Sequence, residues 1–274
     1  MIAENLALVE KLFDDYKMSS SIINFHVSDP VFFPKQYSNK LDIEISAFIA
    51  SILALGPRYA IIRSLNKIFD LIDDSPFDFI VNFDPNVVKK ELAGYVQFAY
   101  KNIYSADVIQ ILYMLKLIVL RYGSLELALM KYFNDSTTQP AFDTLSGFLN
   151  EMKSQKLPKA LGGKVTRLAA ALLASPDQGS ACKRMNMFLR WMVRKDEIDF
   201  GIYDWFGKGN LIIPLDVNVS RAARKLGIIK RKADNWKTAV EITEALKELD
   251  PHDPVKYDIP LFLYGIKIRK SVHV

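Results

Sequence analysis

Two segments of this chain carry residues whose types and spacing suit covalent chemistry. The first, ASPDQGSACKRMNMFLRWMVRK (174–195), is a turn rich in Pro, Asp, Gly and Ser that runs into a helix beginning at Cys182 or Lys183. A lysine there sits at the positive end of the helix dipole, where a cation costs roughly 0.3–1 kcal/mol, and Arg184 stands beside it. Both disfavour the ammonium and favour the free amine, the form that attacks carbon and builds a Schiff base. The plain structural alternative is a lysine stem lying in water. The second segment, LIIPLDVNVSRAARKLGI (211–228), puts Asp216 where a helix N-cap belongs, a role worth about 1 kcal/mol. Capping fixes a carboxylate in one direction, so the same group can stabilise positive charge developing near a reacting amine.

The elements that must position this pair are helices. Apolar residues recur every three or four positions in 5–17, 42–55, 59–72, 105–121, 125–133, 143–152, 183–194, 217–227 and 236–248, and strand alternation is nearly absent. Asp42 reads as the start signal of one helix, Ser105 with Asp107 as that of another, and Gly123 as the stop of the latter. The expected fold is all-α. With 274 residues and 50% hydrophobic side chains, the chain suits one globular unit or two intimate subdomains. The division expected is a central helical subdomain at about 40–180 and a second from 1–39 plus 181–274, flanking a cleft.

No apolar run approaches the roughly 20 residues that cross a bilayer, and the opening MIAENLALVEKLFDDY carries acids where a secretion signal carries positive charge, so a cytoplasmic monomer is expected. One cysteine, Cys182, and three scattered histidines (His26, His252, His273) argue against a protein-built metal site. The net charge of +5 is uneven: residues 183–274 hold 18 Lys+Arg against 12 Asp+Glu, which favours a polyanionic partner, DNA with RNA left open. Candidate phosphate contacts are Gly179 and Ser180 in the turn, Arg184, Arg190 and Arg194 on the face of the Lys183 helix opposite its apolar side, and Arg221 and Arg224 after Asp216. Arg58, after the Gly56-Pro57 break, is a further candidate. Trp205, with Phe200 behind it, is the candidate for stacking on a base, because the loop KDEIDFGIYDWFGKGN (195–210) is polar, glycine-bearing and joins the two chemical segments. The short basic run 230–232 reads as a solvated turn, and DPHDP (250–254) as a turn or a cation site.

The placing of Lys183 and of Asp216 within IIPLDVNV resembles the helix-hairpin-helix DNA glycosylase superfamily, which pairs a lysine opening the second hairpin helix with an aspartate opening a later helix. The 33-residue separation is similar to that in the archaeal 8-oxoguanine DNA glycosylase branch. DIEISAFIASILALG, DPVFFPKQY, SACKRMNMFLRWMVRKDEIDFG, IIPLDVNVSRAARKLGI and DPHDPVKYDIPLFLYGI look like a bacterial family whose domain is described as one of unknown function. The chain departs from typical superfamily members in four places. SPDQGS replaces the glycine-rich hairpin, and Asn218 stands where many members have His. The C-terminal four-cysteine cluster is missing, and Gly56-Pro57-Arg58 lies where endonuclease III-like relatives insert a Gln. The resemblance implies a cofactor-independent glycosylase and AP lyase acting on a flipped, damaged base, with Lys183 as nucleophile and Asp216 as its carboxylate, and a nucleoid association when bound to DNA. The alternative is a non-catalytic nucleic-acid-binding module on the same helical scaffold.

Overall fold

A computed structural model describes residues 2–19, 29–92, 97–99 and 103–271; His26 and His273 lie outside them. The chain is mostly helical and divides into two compact units, Val27–Ser175 and Met1–His26 with Pro176–Val274. In chain order, α1 (Ile2–Lys17) belongs to the split unit. The continuous unit holds α2 (Lys40–Ile52), α3 (Arg58–Phe69), α4 (Pro76–Val81), α5 (Pro85–Glu91), a hairpin of β1 (Gln97–Ala99) and β2 (Ile103–Tyr104), α6 (Ser105–Tyr122), α7 (Leu125–Met130), α8 (Pro140–Lys153) and α9 (Arg167–Leu172). The split unit resumes with α10 (Lys183–Val193), α11 (Val217–Lys225), α12 (Trp236–Lys247) and α13 (Asp258–Ser271).

The continuous unit is built on α2 and α6, whose apolar faces are almost wholly buried. Asp42 does not cap its own helix. Asn39 does, taking the Leu41 N–H at 2.8 Å. Asp42 instead accepts from Ser75 Oγ at 2.7 Å and Phe77 N–H at 3.0 Å, tying the start of α4 to α2. Glu44, also on α2 and buried, accepts the Leu125 N–H at 2.9 Å, and burial pushes its carboxyl up to about 7. Asp107 takes the Tyr104 N–H at the entry to α6, and Gly123 closes that helix at φ 82°, a conformation that favours glycine. On α8, Glu151 collects hydrogen bonds from Tyr132, Tyr122, Arg121 and Lys131. These outweigh its burial and hold it near 2.

In the split unit α11 and α13 pack closely. Gly265 on α13 lies against the first turn of α11: a Cβ there would fall 2.6 Å from the Asn218 carbonyl carbon and closer still to its oxygen. Arg221 fastens the same contact by donating to Gly265 O at 3.1 Å. Gly265→Ala therefore meets backbone that cannot rotate away, and we expect a loss of about 1–3 kcal/mol, read as a lowered thermal midpoint. An unchanged midpoint would show that the two helices can slide apart at little cost.

Candidate functional site

Lys183 is the first residue of α10, and its N-cap is Cys182 at φ 48°, ψ 34°. That is the one left-handed non-glycine residue among those described, a conformation that costs free energy and persists only where neighbours impose it. Several neighbours do. The Cys182 N–H donates to Ser180 Oγ at 3.1 Å, its carbonyl accepts the Asn186 N–H at 2.9 Å, and buried Asn186 donates through Nδ2 to Ala181 O at 3.0 Å. The turn before it is fixed in turn: Gly179, at φ 77°, accepts the Trp236 N–H at 3.3 Å, and Ser180 bridges to Asn235.

Asp216 is the N-cap of α11, and its Oδ1 accepts the N–H groups of Asn218 at 2.8 Å and Val219 at 2.9 Å. Its Oδ2 is thereby left for Lys183, whose Nζ lies 3.1 Å from it. Two residues 33 apart in sequence thus meet at two helix starts. The lysine side chain is 37% exposed and the aspartate 12%, so the carboxylate is held inside while the amine faces solvent. Capping and pairing coexist because each uses a different oxygen.

The arginines behave differently from the sequence expectation. Arg190 is buried, and its guanidinium donates to Asp258 Oδ2 at 2.6 Å and to Asp199 Oδ1 at 3.2 Å. Arg194 is held by Asp199 at 2.5 Å and Asp253 and Asp196 at 2.8 Å each. Neither is a phosphate contact. The reason is that α10 is buried from Met185 to Val193 apart from Met187, so beyond its first turn it has no solvent face on which a basic stripe could stand. Arg224 donates to the carbonyls of Arg231 and Lys232 and pairs with Asp234, pinning the 230–232 turn, and Arg221 serves Gly265 and Asn218 Oδ1, so both are occupied internally. Arg184 is half-buried, and burial pushes its guanidinium down to about 10, which leaves it charged at neutral pH. Arg58 lies in the other unit, 42% exposed and 3.8 Å from Asp29. Trp205 is half-buried, its ring tilted on Tyr203 at 5.7 Å and edge-on to Phe206 at 5.5 Å, and Phe200 is half-buried with its N–H on Trp191 O. In DPHDP, Asp250 accepts the N–H groups of His252 and Asp253 and pairs with Lys256, which is turn chemistry. No group of three or more His, Cys, Asp or Glu suited to a metal ion occurs among the described residues.

Sequence reasoning did not find Asp199 and Asp258. Asp258 opens α13, pairs with Arg190, and feels the charges of both Asp216 and Lys183, so it belongs to the surroundings of the pair. Burial pushes its carboxyl up to about 6, against the pull of Arg190 and with a further push from Asp216. Around it two guanidiniums face four carboxylates, so one carboxyl is readily protonated. The available signal for Asp199 was the acid-rich KDEID directly after Arg194. A raised carboxyl contributes stability that is present below its ordinary value near 4 and is lost as pH rises through about 6. Asp258→Asn should therefore flatten the decline in urea midpoint between about pH 4 and 6; a variant declining as steeply as the unaltered protein refutes this assignment.

No helix among the described residues is long and apolar enough to cross a membrane. No curated protein and no solved structure matches the chain. A family model described as "Protein of unknown function (DUF2400)" matches residues 29–267, so the chain belongs to that family.

Proposed function

We propose that this protein is a DNA base-excision glycosylase with AP-lyase activity, on a helix-hairpin-helix glycosylase-like arrangement, acting in the cytoplasm on DNA. The observation that carries the reading is the 3.1 Å contact between the Lys183 amine and an Asp216 carboxylate whose other oxygen is locked by two backbone N–H groups. A lysine at the positive end of a helix is poorly placed as an ordinary charge and well placed as a nucleophile once its proton is removed. Asp216 Oδ2 is the group positioned to take that proton. The amine lone pair then attacks C1′ of a nucleotide turned out of the duplex. The C1′–N bond breaks with its electron pair leaving on the base, which takes the proton that Asp216 had accepted, and the regenerated carboxylate stabilises the positive charge that builds on the sugar. Opening of the sugar ring, with O4′ protonated, gives a Schiff base between Lys183 and C1′. Loss of a C2′ proton then expels the 3′ phosphate by β-elimination. The first two steps need no group beyond lysine, carboxylate and water.

The test is borohydride trapping. Hydride adds to C1′ of the imine and converts it into a stable amine, leaving protein joined to oligonucleotide. A panel of duplexes, each bearing one oxidised, deaminated or alkylated base or an abasic site, should yield a trapped species with at least one of them. Tight DNA binding with no trapped species across the panel means the non-catalytic binding module is the correct reading.

A further inference from the structure

One acid-free stretch of the chain lies in the Val27–Ser175 unit. Between Met152 and Pro176 there are five cations, Lys153, Lys156, Lys159, Lys164 and Arg167, and no Asp or Glu. Lys153 is engaged with Ser175 Oγ at 3.0 Å. The other four are exposed and form no ion pair with a described residue.

The segment that carries them has a fixed shape. Gln110 on α6, 3% exposed, donates from Nε2 to Leu161 O at 2.8 Å and Lys164 O at 3.1 Å, and its Oε1 accepts the Thr166 N–H at 2.8 Å. Its neighbour Asp107, also 3% exposed, accepts Thr166 Oγ at 2.6 Å, while that hydroxyl oxygen caps α9 through the Ala169 N–H. Between the clamped carbonyls, Gly162 and Gly163 stand in succession at φ 87° and 71°, a reversal that residues with a Cβ adopt only at a cost. Two buried polar side chains are thus committed to holding one exposed turn, whereas surface connections are ordinarily the mobile parts of a fold. Four like charges fixed close in sequence without acids repel one another, and a polyanion relieves that repulsion.

We propose that the turn from Lys156 to Arg167 is a preshaped contact for the phosphate backbone of duplex DNA. A membrane surface fits less well, because Leu157 is buried and Leu161 and Val165 are half-buried, which leaves no large apolar side chain to enter the headgroup layer. Lysines and an arginine without a specifying pocket suit sequence-independent phosphate contacts. The choice of DNA rests on the glycosylase reading; the phosphate-binding character of the turn does not.

The full-length protein is titrated onto a fluorescein-labelled undamaged duplex from about 50 to 200 mM salt, where each phosphate contact contributes roughly 0.9 to the log–log slope. Lys159→Gln with Lys164→Gln should lower affinity about tenfold at the lower salt and make the slope shallower by roughly 2. Lys89→Gln with Lys90→Gln removes the same charge from exposed residues at the end of α5 and should change affinity less than about twofold. Equal losses from the two pairs, or no loss from the first, overturn the proposal, since net charge alone would then account for binding. Binding of the unaltered protein to phosphatidylserine vesicles and not to the duplex also overturns it, in favour of a membrane contact. If the turn variant behaves as expected while no lesion is trapped, the DNA contact stands and the glycosylase chemistry falls.

Discussion

Lys183→Gln abolishes borohydride trapping and leaves duplex affinity within about twofold: this is the expected result if the amine is the nucleophile. Glutamine keeps most of the side-chain length and can hydrogen-bond Asp216, but it has no lone pair that can form an imine. Lys183→Arg is the sharper variant, because it keeps the positive charge and the ion pair with Asp216 while removing the reactive amine. If the pair were only a structural salt bridge, arginine would substitute without loss. Such a pair, with its lysine 37% exposed, contributes at most about 1 kcal/mol, so its removal cannot imitate the effect by unfolding the protein. Asp216→Asn should slow trapping by at least tenfold, since the amide retains the capping oxygen for Asn218 and Val219 but removes the charge. Lys195, exposed just beyond the end of α10, is the internal control, and Lys195→Gln should trap normally. Loss of trapping in the Lys195 variant with retention in the Lys183 variant would assign the chemistry to the wrong lysine.

The meeting of Lys183 and Asp216 across 33 residues was expected from the resemblance to the glycosylase superfamily, whereas the helical class and the places of the two residues at helix starts were legible for a shared reason. Both depend on local rules, the recurrence of apolar residues and the residue types that open helices, and those rules read directly from neighbouring positions. The helix α13 was not legible, because Pro260 and Gly265 look like breakers and its apolar residues do not gather on one side. The structure puts Pro260 in the first turn, where its missing N–H costs nothing, and uses Gly265 for close approach to α11. Asp42 misled in the opposite way. It has the type and position of a cap, yet serves a helix that begins 34 residues later, and no periodicity carries that information. The fate of the arginines was hidden for the same physical reason. Spacing puts Arg190 on the Lys183 face of α10, but whether that face meets water or Asp258 depends on a helix 68 residues away.

Arg190 should be the most costly single replacement in the split unit. Arg190→Leu leaves Asp199, with no exposed side-chain surface, and Asp258 without the guanidinium that both of them share. Breaking a buried ion pair from one side typically costs about 3–5 kcal/mol, because Asp258 must be ionised without its guanidinium or protonated, while Asp199 is left to Arg194. Against a total stability of roughly 5–15 kcal/mol, such a loss should lower the thermal midpoint by about 10 °C. The pH dependence separates this cause from a simple packing defect. Without Arg190 both carboxyls are protonated more readily in the folded state, so the deficit should shrink at pH 5 and widen at pH 8. A packing defect of a leucine in an arginine's place would be equal at the two values. Arg190→Leu combined with Asp258→Leu and Asp199→Asn should recover part of the loss, since an apolar or neutral replacement removes the uncompensated charges as well as the pair. A single variant that melts within about 2 °C of the unaltered protein at both pH values would mean that the carboxylates relax into water, and that Arg190 does not hold α10 and α13 together beneath the Lys183–Asp216 pair.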